Sequence, residues 1–336
     1  MTVLRVDTIS GIGSDGPVFD GDLEFNSQNF FVLPKGTTTD RNQTGGNTRG
    51  LIGGGYAPGN SNTIDYILIS STANAVDFGD LTAGRHGLAA CSSSTRGLFG
   101  GGNPQTNTID YVTIATLGNA ETFGELSVDS AHVSAALSSD TRGVWGGGYD
   151  SPTILNTIQF VTIASTGNAQ EFGDLTVSRD SLSACSSPTR GVFAGGRAPA
   201  EKNEIDYITI ASTGNAIDFG DLITANRYNA NSGTSSQIRG VFAGGEVPTT
   251  TNIIEYITIA STGNAQDFGD LELARKGTAG TSNKVRGIFG GGENPGNLNA
   301  ISYVLIATMG NALDFGDLTV ARTQSSACSN GHGGLG

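Results

Sequence analysis

The chain has 336 residues, 51 of them Gly, only 15% charged residues, and a formal net charge of −13. That composition describes a turn-dense all-β protein, and so acidic a balance argues against nucleic acid, whose phosphates need clustered Lys and Arg. No stretch approaches the roughly 20 apolar residues that span a bilayer, and MTVLRVDTIS has no apolar run of signal length, so a soluble protein without membrane insertion is expected.

Residues 1–48 carry short alternating pieces, 17–25 and 29–33, broken by Gly, Ser and Pro and too short to bury a core alone. Such a segment either packs on its own domain or is completed by another chain. The second reading is favoured, which makes 1–48 an attachment or oligomerisation segment and 49–336 a separate domain.

From Arg49 onward the chain repeats. The Arg-Gly pair falls at Arg49, Arg96, Arg142, Arg190, Arg239 and Arg286, at spacings of 47, 46, 48, 49 and 47, with a degenerate seventh start at Gly333-Gly334-Leu335. Six copies at this period point to a propeller or a solenoid. Each copy predicts four short strands. In the copy starting at Arg190 the second strand is GVFAGG, the third is IDYITIAS (205–212), and the fourth is AIDFGDLI after a Gly214-Asn215 turn that suits a tight hairpin. The first strand is the small-residue run before the Arg, as in LAACSSS at 88–94. The first copy begins at a second strand and the chain ends on a first strand, TQSSACSN at 323–330. Together they complete one blade, so a closed ring of six four-stranded blades is expected, with no free sheet edge.

Half of the acidity belongs to the repeat. Six acids follow the Phe-Gly pair, as at Asp80 and Asp221, five precede the Phe, and four precede the third-strand aromatic (Asp65, Asp110, Asp206, Glu255). They are spread rather than gathered into a patch. Cys91, Cys185 and Cys328 share one position five residues before an Arg-Gly start or its terminal equivalent. They read as buried small residues, not as a disulfide framework or a zinc pattern.

Strand order assigns the loops to two faces. First-to-second (SSTRG) and third-to-fourth (STGNA) connections share one face and are nearly identical between copies. Second-to-third and fourth-to-first connections share the other, where the copies diverge: YAPGNSN, NPQTN, YDSPTILN, RAPAEKN, EVPTTTN and ENPGNLN. This rim is either diversified for recognition or simply drifted. On the same face lie Arg85, Arg179, Arg227, Arg275 and Arg322, with His86 and His132 in matching positions of adjacent copies and Tyr228 beside Arg227. The arginines either pair with repeat carboxylates or grip an acidic or hydroxyl-rich sugar with their planar fork of donors. The two histidines lack a third ligand nearby, so no metal site is expected. No nucleophile elbow, P-loop or isolated carboxylate pair stands out from the repeat, so neither a catalytic residue nor a cofactor is expected.

The copies resemble Kelch-type repeats. The residues that carry the resemblance are Gly195-Gly196, Tyr207, Phe219 and Arg227, then Gly244-Gly245, Tyr256, Phe268 and Arg275, then Gly291-Gly292, Tyr303, Phe315 and Arg322. Departures are Phe for the family's fourth-strand Trp, Phe160 for Tyr, and Ser130 for Arg. The resemblance implies a β-propeller but no one function, since such propellers serve as scaffolds, adhesins and enzymes alike. NFFVLPKGTTTDR, at 29–41, resembles connecting segments of bacteriophage fibre and virion structural proteins. That resemblance implies a non-enzymatic virion component, assembled in a host cytoplasm. Its head would hold other virion proteins, or further copies of itself, and its propeller would be free to bind a host-surface glycan or a virion protein. The alternatives are a cytoplasmic protein-binding scaffold and, with less support, a propeller enzyme acting on glycans.

Overall fold

The computed structural model describes residues 48–130, 135–227 and 233–336. The chain separates into two units, Met1–Thr37 and Thr38–Gly336, and every described residue belongs to the second. Among the described residues there is no helix; six four-stranded antiparallel sheets form a six-bladed β-propeller.

Blade 1 is built from both ends of the propeller: Ser326–Ser329, Arg49–Gly53, Thr63–Leu68 and Val76–Asp80. Leu51 lies opposite Cys328 and Ile52 opposite Ala327, so the closing strand is paired along its length. Blades 2 to 6 follow in chain order, with second strands Arg96–Gly100, Arg142–Gly146, Arg190–Ala194, Arg239–Ala243 and Arg286–Gly290. First strands contact the first strands of both neighbours and surround the central channel.

The repeat residues explain the packing. Phe99, Trp145, Phe193, Phe242 and Phe289, with Ile52 in blade 1, are fully buried between blades. Each meets the Gly or Ala that ends the preceding blade's second strand: a Cβ at Gly53 would lie 2.7 Å from Phe99, and one at Gly100 would lie 2.9 Å from Trp145. The missing side chain on one blade is the seat for the ring of the next. Within each blade the third-strand aromatic meets the fourth-strand Phe edge to face, as in Tyr207–Phe219 with centroids 6.1 Å apart. The Arg of the Arg-Gly pair lies over that aromatic, 4.3 Å away for Arg190 on Tyr207. Its guanidinium also donates to a carbonyl of the next blade: Arg190 to Ile259, Arg239 to Ile306, and Arg286 to Ile69 across the closure.

The Gly-Asn pair does not form a tight hairpin. The third and fourth strands of blade 4, Glu204–Thr209 and Ile217–Asp221, are joined by seven residues. The pair instead reaches the preceding blade, where Asn215 Oδ1 accepts from Asp174 N and Gly214 N donates to Phe172 O. The Asn contact recurs in all six blades and the Gly contact in five, blade 1 having Ala73 there, so the nearly identical turns are a zip between blades.

Candidate functional site

Four of the rim arginines are turned inward. Arg85, Arg179, Arg275 and Arg322 are at most 2% exposed. Each leaves the end of one blade and enters the next: Arg85 reaches Asp110 at 3.0 Å, Arg179 reaches Asp206 at 2.8 Å, and Arg322 reaches Asp65 at 3.2 Å. The carboxylates are completed by the loop threonines, as where Thr176 Oγ1 and N donate to Asp206. Burial lowers the guanidinium pKa at all four positions, opposed at Arg85, Arg179 and Arg322 by the facing aspartate. At Arg275, lowered to about 10, the opposing charge is Glu272. These side chains clamp blades and are not presented to a ligand.

The same clamp explains the Gly-Gly doublet. Gly54 has φ +65°, and a Cβ there would lie 2.7 Å from the carbonyl oxygen of Arg85. A left-handed backbone at so close an approach admits only glycine without strain.

The clamp varies at three of the six seams. Blade 6 has Ser302 in place of the aspartate, and the acid moves to Glu272, to which Ser302 Oγ donates while accepting from Arg275. Blade 3 has Gln159 there, accepting from Ser127 N and Oγ, and the residue at the Arg position of blade 2 is Ser130. Arg227 does not belong to the ring, because an extra residue precedes it. The equivalent position is Asn226, whose side chain donates to Gly244 O and accepts from Glu246 N. Glu255, the facing acid, therefore lacks a guanidinium, and burial raises its pKa despite bonds from the Ile223 and Thr224 amides.

Arg227 lies instead on the surface, in a line of charges running Glu201, Arg227, Glu246, Lys276, Glu293 with contacts of 3.1–3.4 Å. His86 is half-buried, 2.8 Å from Asn60 Oδ1 and edge-on to Tyr56. His132 and Tyr228 lie outside the described residues. The variable loops are laced together by main-chain bridges between adjacent blades, His86 to Asn103, Asp180 to Arg197, Arg227 to Glu246 and Lys276 to Glu293. Three of them fold into two-stranded ribbons, one being Tyr56–Ala57 with Gly59–Asn60. The rim is thus a continuous surface of exposed loop tips on a rigid base.

The central channel holds a feature that sequence reasoning missed. Ser92, Ser138, Ser186, Ser235, Ser282 and Ser329 occupy one position of the six first strands, and each hydroxyl donates to the preceding blade's serine carbonyl at 2.5–2.9 Å. The six bonds close on themselves around the axis. The signal was available, since this position holds Ser in every copy while its neighbours vary. The C-terminal turn then covers the ring. His332 Nδ1 accepts from Gly334 N, which leaves Nε2–H to donate to Ser92 O at 3.0 Å. Burial lowers the pKa of this imidazole, in keeping with that neutral tautomer. Gln237 holds Leu335 O from blade 5, and Asp140 holds Gly336 N from blade 3, so the turn spans the channel mouth.

What remains of the channel is a cavity of about 30 Å³, space for a water molecule rather than a ligand. Cys91, Cys185 and Cys328 line it as buried free thiols. Each sulfur lies against the second-strand glycine of the next blade, Gly143, Gly240 and Gly97. Burial raises all three pKa values, that of Cys328 to about 12. A thiol held protonated is a packing group and not a nucleophile. Comparison with known proteins finds no matching family model and no matching curated protein.

Proposed function

We propose that the protein is a non-enzymatic structural component of a bacteriophage virion, a fibre or adhesin mounted through residues 1–48. In this reading the Kelch-like propeller presents its variable rim to a host-surface glycan or to another virion protein. One observation carries the proposal: the copies diverge most, in both length and residue type, in the rim loops, while most residues common to the copies are occupied in joining blades. The zip turns, the Arg-Gly arginines, the buried arginines and the serine ring all have partners inside the ring, which leaves the rim as the surface free to differ. The attachment role rests on the 29–41 stretch. Weak single sites of this kind act through several copies bound together.

The test is adsorption of particles carrying rim or opposite-face variants. Tyr56→Ala with Asn60→Ala changes two exposed rim residues. It should lower adsorption several-fold with melting unchanged. Ser212→Ala with Thr213→Ala, on the uniform face, should leave adsorption intact. The reverse pattern would place the rim toward the particle and overturn the reading.

A further inference from the structure

The uniform face is not uniform in polarity. Its turns carry three positions, exposed in every copy except at the buried Thr48, where four of the six copies have Thr. The residue before Arg-Gly is Ile238 in blade 5 and Val285 in blade 6, against Thr48, Thr95, Thr141 and Thr189. The residue that ends the third strand is Leu305 in blade 6 and Leu68 in blade 1, against Thr113, Thr162, Thr209 and Thr258. At the tip of the third-to-fourth turn, Met309 in blade 6 and Leu117 in blade 2 replace Thr. Blade 6 has all three exceptions, and the others fall on its neighbours, blades 5 and 1, and on blade 2 beyond. Beside these, Leu313 and Val76 open the outermost strands of blades 6 and 1, as Ile217 does in blade 4 outside the sector.

Main-chain and arginine side-chain hydrogen bonds link the turns that carry these residues into one sector. Ile306 N bonds Val285 O within blade 6. Arg239, next to Ile238, bonds Ile306 and Ala307 across the seam, and Arg286, next to Val285, bonds Ile69 beside Leu68. Gly118, next to Leu117, bonds Phe78 O on the strand that carries Val76. Ile238 is 66% exposed and Met309 61%, and the remainder are between 43% and 58%. On the opposite half, Thr occupies these turn positions in blades 3 and 4.

We propose that this sector is a contact between two copies of the chain, paired about a two-fold axis through their uniform faces. Two observations select a second copy as the occupant. The sector exposes on the order of 600 Å² of apolar side chain, at the upper end for a lone soluble protein, and it approaches the roughly 800 Å² per partner of a standard interface. It is also where charge permits self-association. A chain of −13 repels its copies, but each blade's Arg-Gly arginine offsets the acid that opens its fourth strand, so the uniform face is close to neutral, and Lys284 adds a positive charge in this sector. Flat turn tips on both sides meet without either rim being covered, so the pair displays two variable rims facing away from each other.

The experiment is sedimentation equilibrium of the full chain from low to high micromolar concentration. It compares the wild type with the triple variant Leu68→Thr, Leu305→Thr, Met309→Thr. Each replacement installs the residue that most copies already carry at that position, so folding is safeguarded, and an unchanged melting temperature checks it. The wild type should be a monomer–dimer system. The variant changes both halves of an isologous contact, and its dissociation constant should rise by at least about tenfold. A control in the opposite half, Thr162→Ala with Thr209→Ala, should leave the equilibrium unmoved. A wild type that sediments as a monomer throughout overturns the proposal and leaves the sector to the particle's other proteins. A higher-order species, or a dimer that the triple variant does not weaken, overturns it as well and points to association through residues 1–48.

Discussion

Replacing Arg179 by Ser should be among the most damaging single changes in the propeller, and the chain contains its own rescue. Arg179 is fully buried; it bonds Asp206 at 2.8 Å and donates to the carbonyls of Glu204 and Phe193. Without it Asp206, also fully buried, keeps only the hydroxyl and amide of Thr176. Removing one partner of a buried ion pair costs about 3–5 kcal/mol, because the charge left behind has lost both water and its counter-charge. That is a large share of the roughly 5–15 kcal/mol that holds a domain together. The seam between blades 2 and 3 does without the charge: Gln159 stands at the aspartate position and accepts from Ser127 N and Oγ, and the sequence has Ser130 at the Arg position. Arg179→Ser combined with Asp206→Gln copies that solution, and should be more stable than Arg179→Ser alone. We expect a coupling energy of about 2–3 kcal/mol in the double-mutant cycle. Urea unfolding followed by the fluorescence of the single tryptophan, buried Trp145, reads it directly. An unchanged slope with denaturant would show that the unfolded surface is the same in all four proteins. A single-variant loss below about 1 kcal/mol, or a double variant that costs the sum of the singles, would refute the clamp.

Two further outcomes follow from the packing and the electrostatics. Trp145→Ala empties the space over Gly100 and leaves the Ala89 carbonyl without its indole donor. Thermal melting followed by circular dichroism should show a loss of about 3–5 kcal/mol, and under about 1 would mean that the ring seat is not packed. Glu255→Gln should raise stability at neutral pH. The folded carboxyl has its pKa raised by burial, so as pH climbs past the ordinary glutamate value of roughly 4.3 the unfolded chain ionises first and stability falls. That loss is complete above the folded pKa. The gain from Gln should therefore vanish in acid below both values, and a gain that is absent at pH 7 or independent of pH would be evidence against it.

Local period decided most of this architecture. Spacing, the two-residue alternation within strands and the phase of the two ends were enough to read six blades, four strands in each, and closure through the termini. The third- and fourth-strand aromatics and the small buried cysteines were legible for the same reason: each depends on what one position repeats. What the sequence did not disclose is where one blade meets another. Arg227 looked equivalent to Arg275, but one inserted residue moves it from the seam to the surface and puts Asn226 in its place. The Gly-Asn pair looked like a hairpin tip, yet its partners are on the preceding blade, roughly forty residues away. Six serines, 46 to 49 residues apart, close into one ring only because six blades bring six first strands around a single axis. The apolar sector likewise draws residues from both ends of the propeller, Leu68 and Leu305 among them. Periodicity specifies the contacts inside a blade, whose partners are near in sequence; curvature and closure specify the seams, the axis and the faces, and these exist only in the assembled ring.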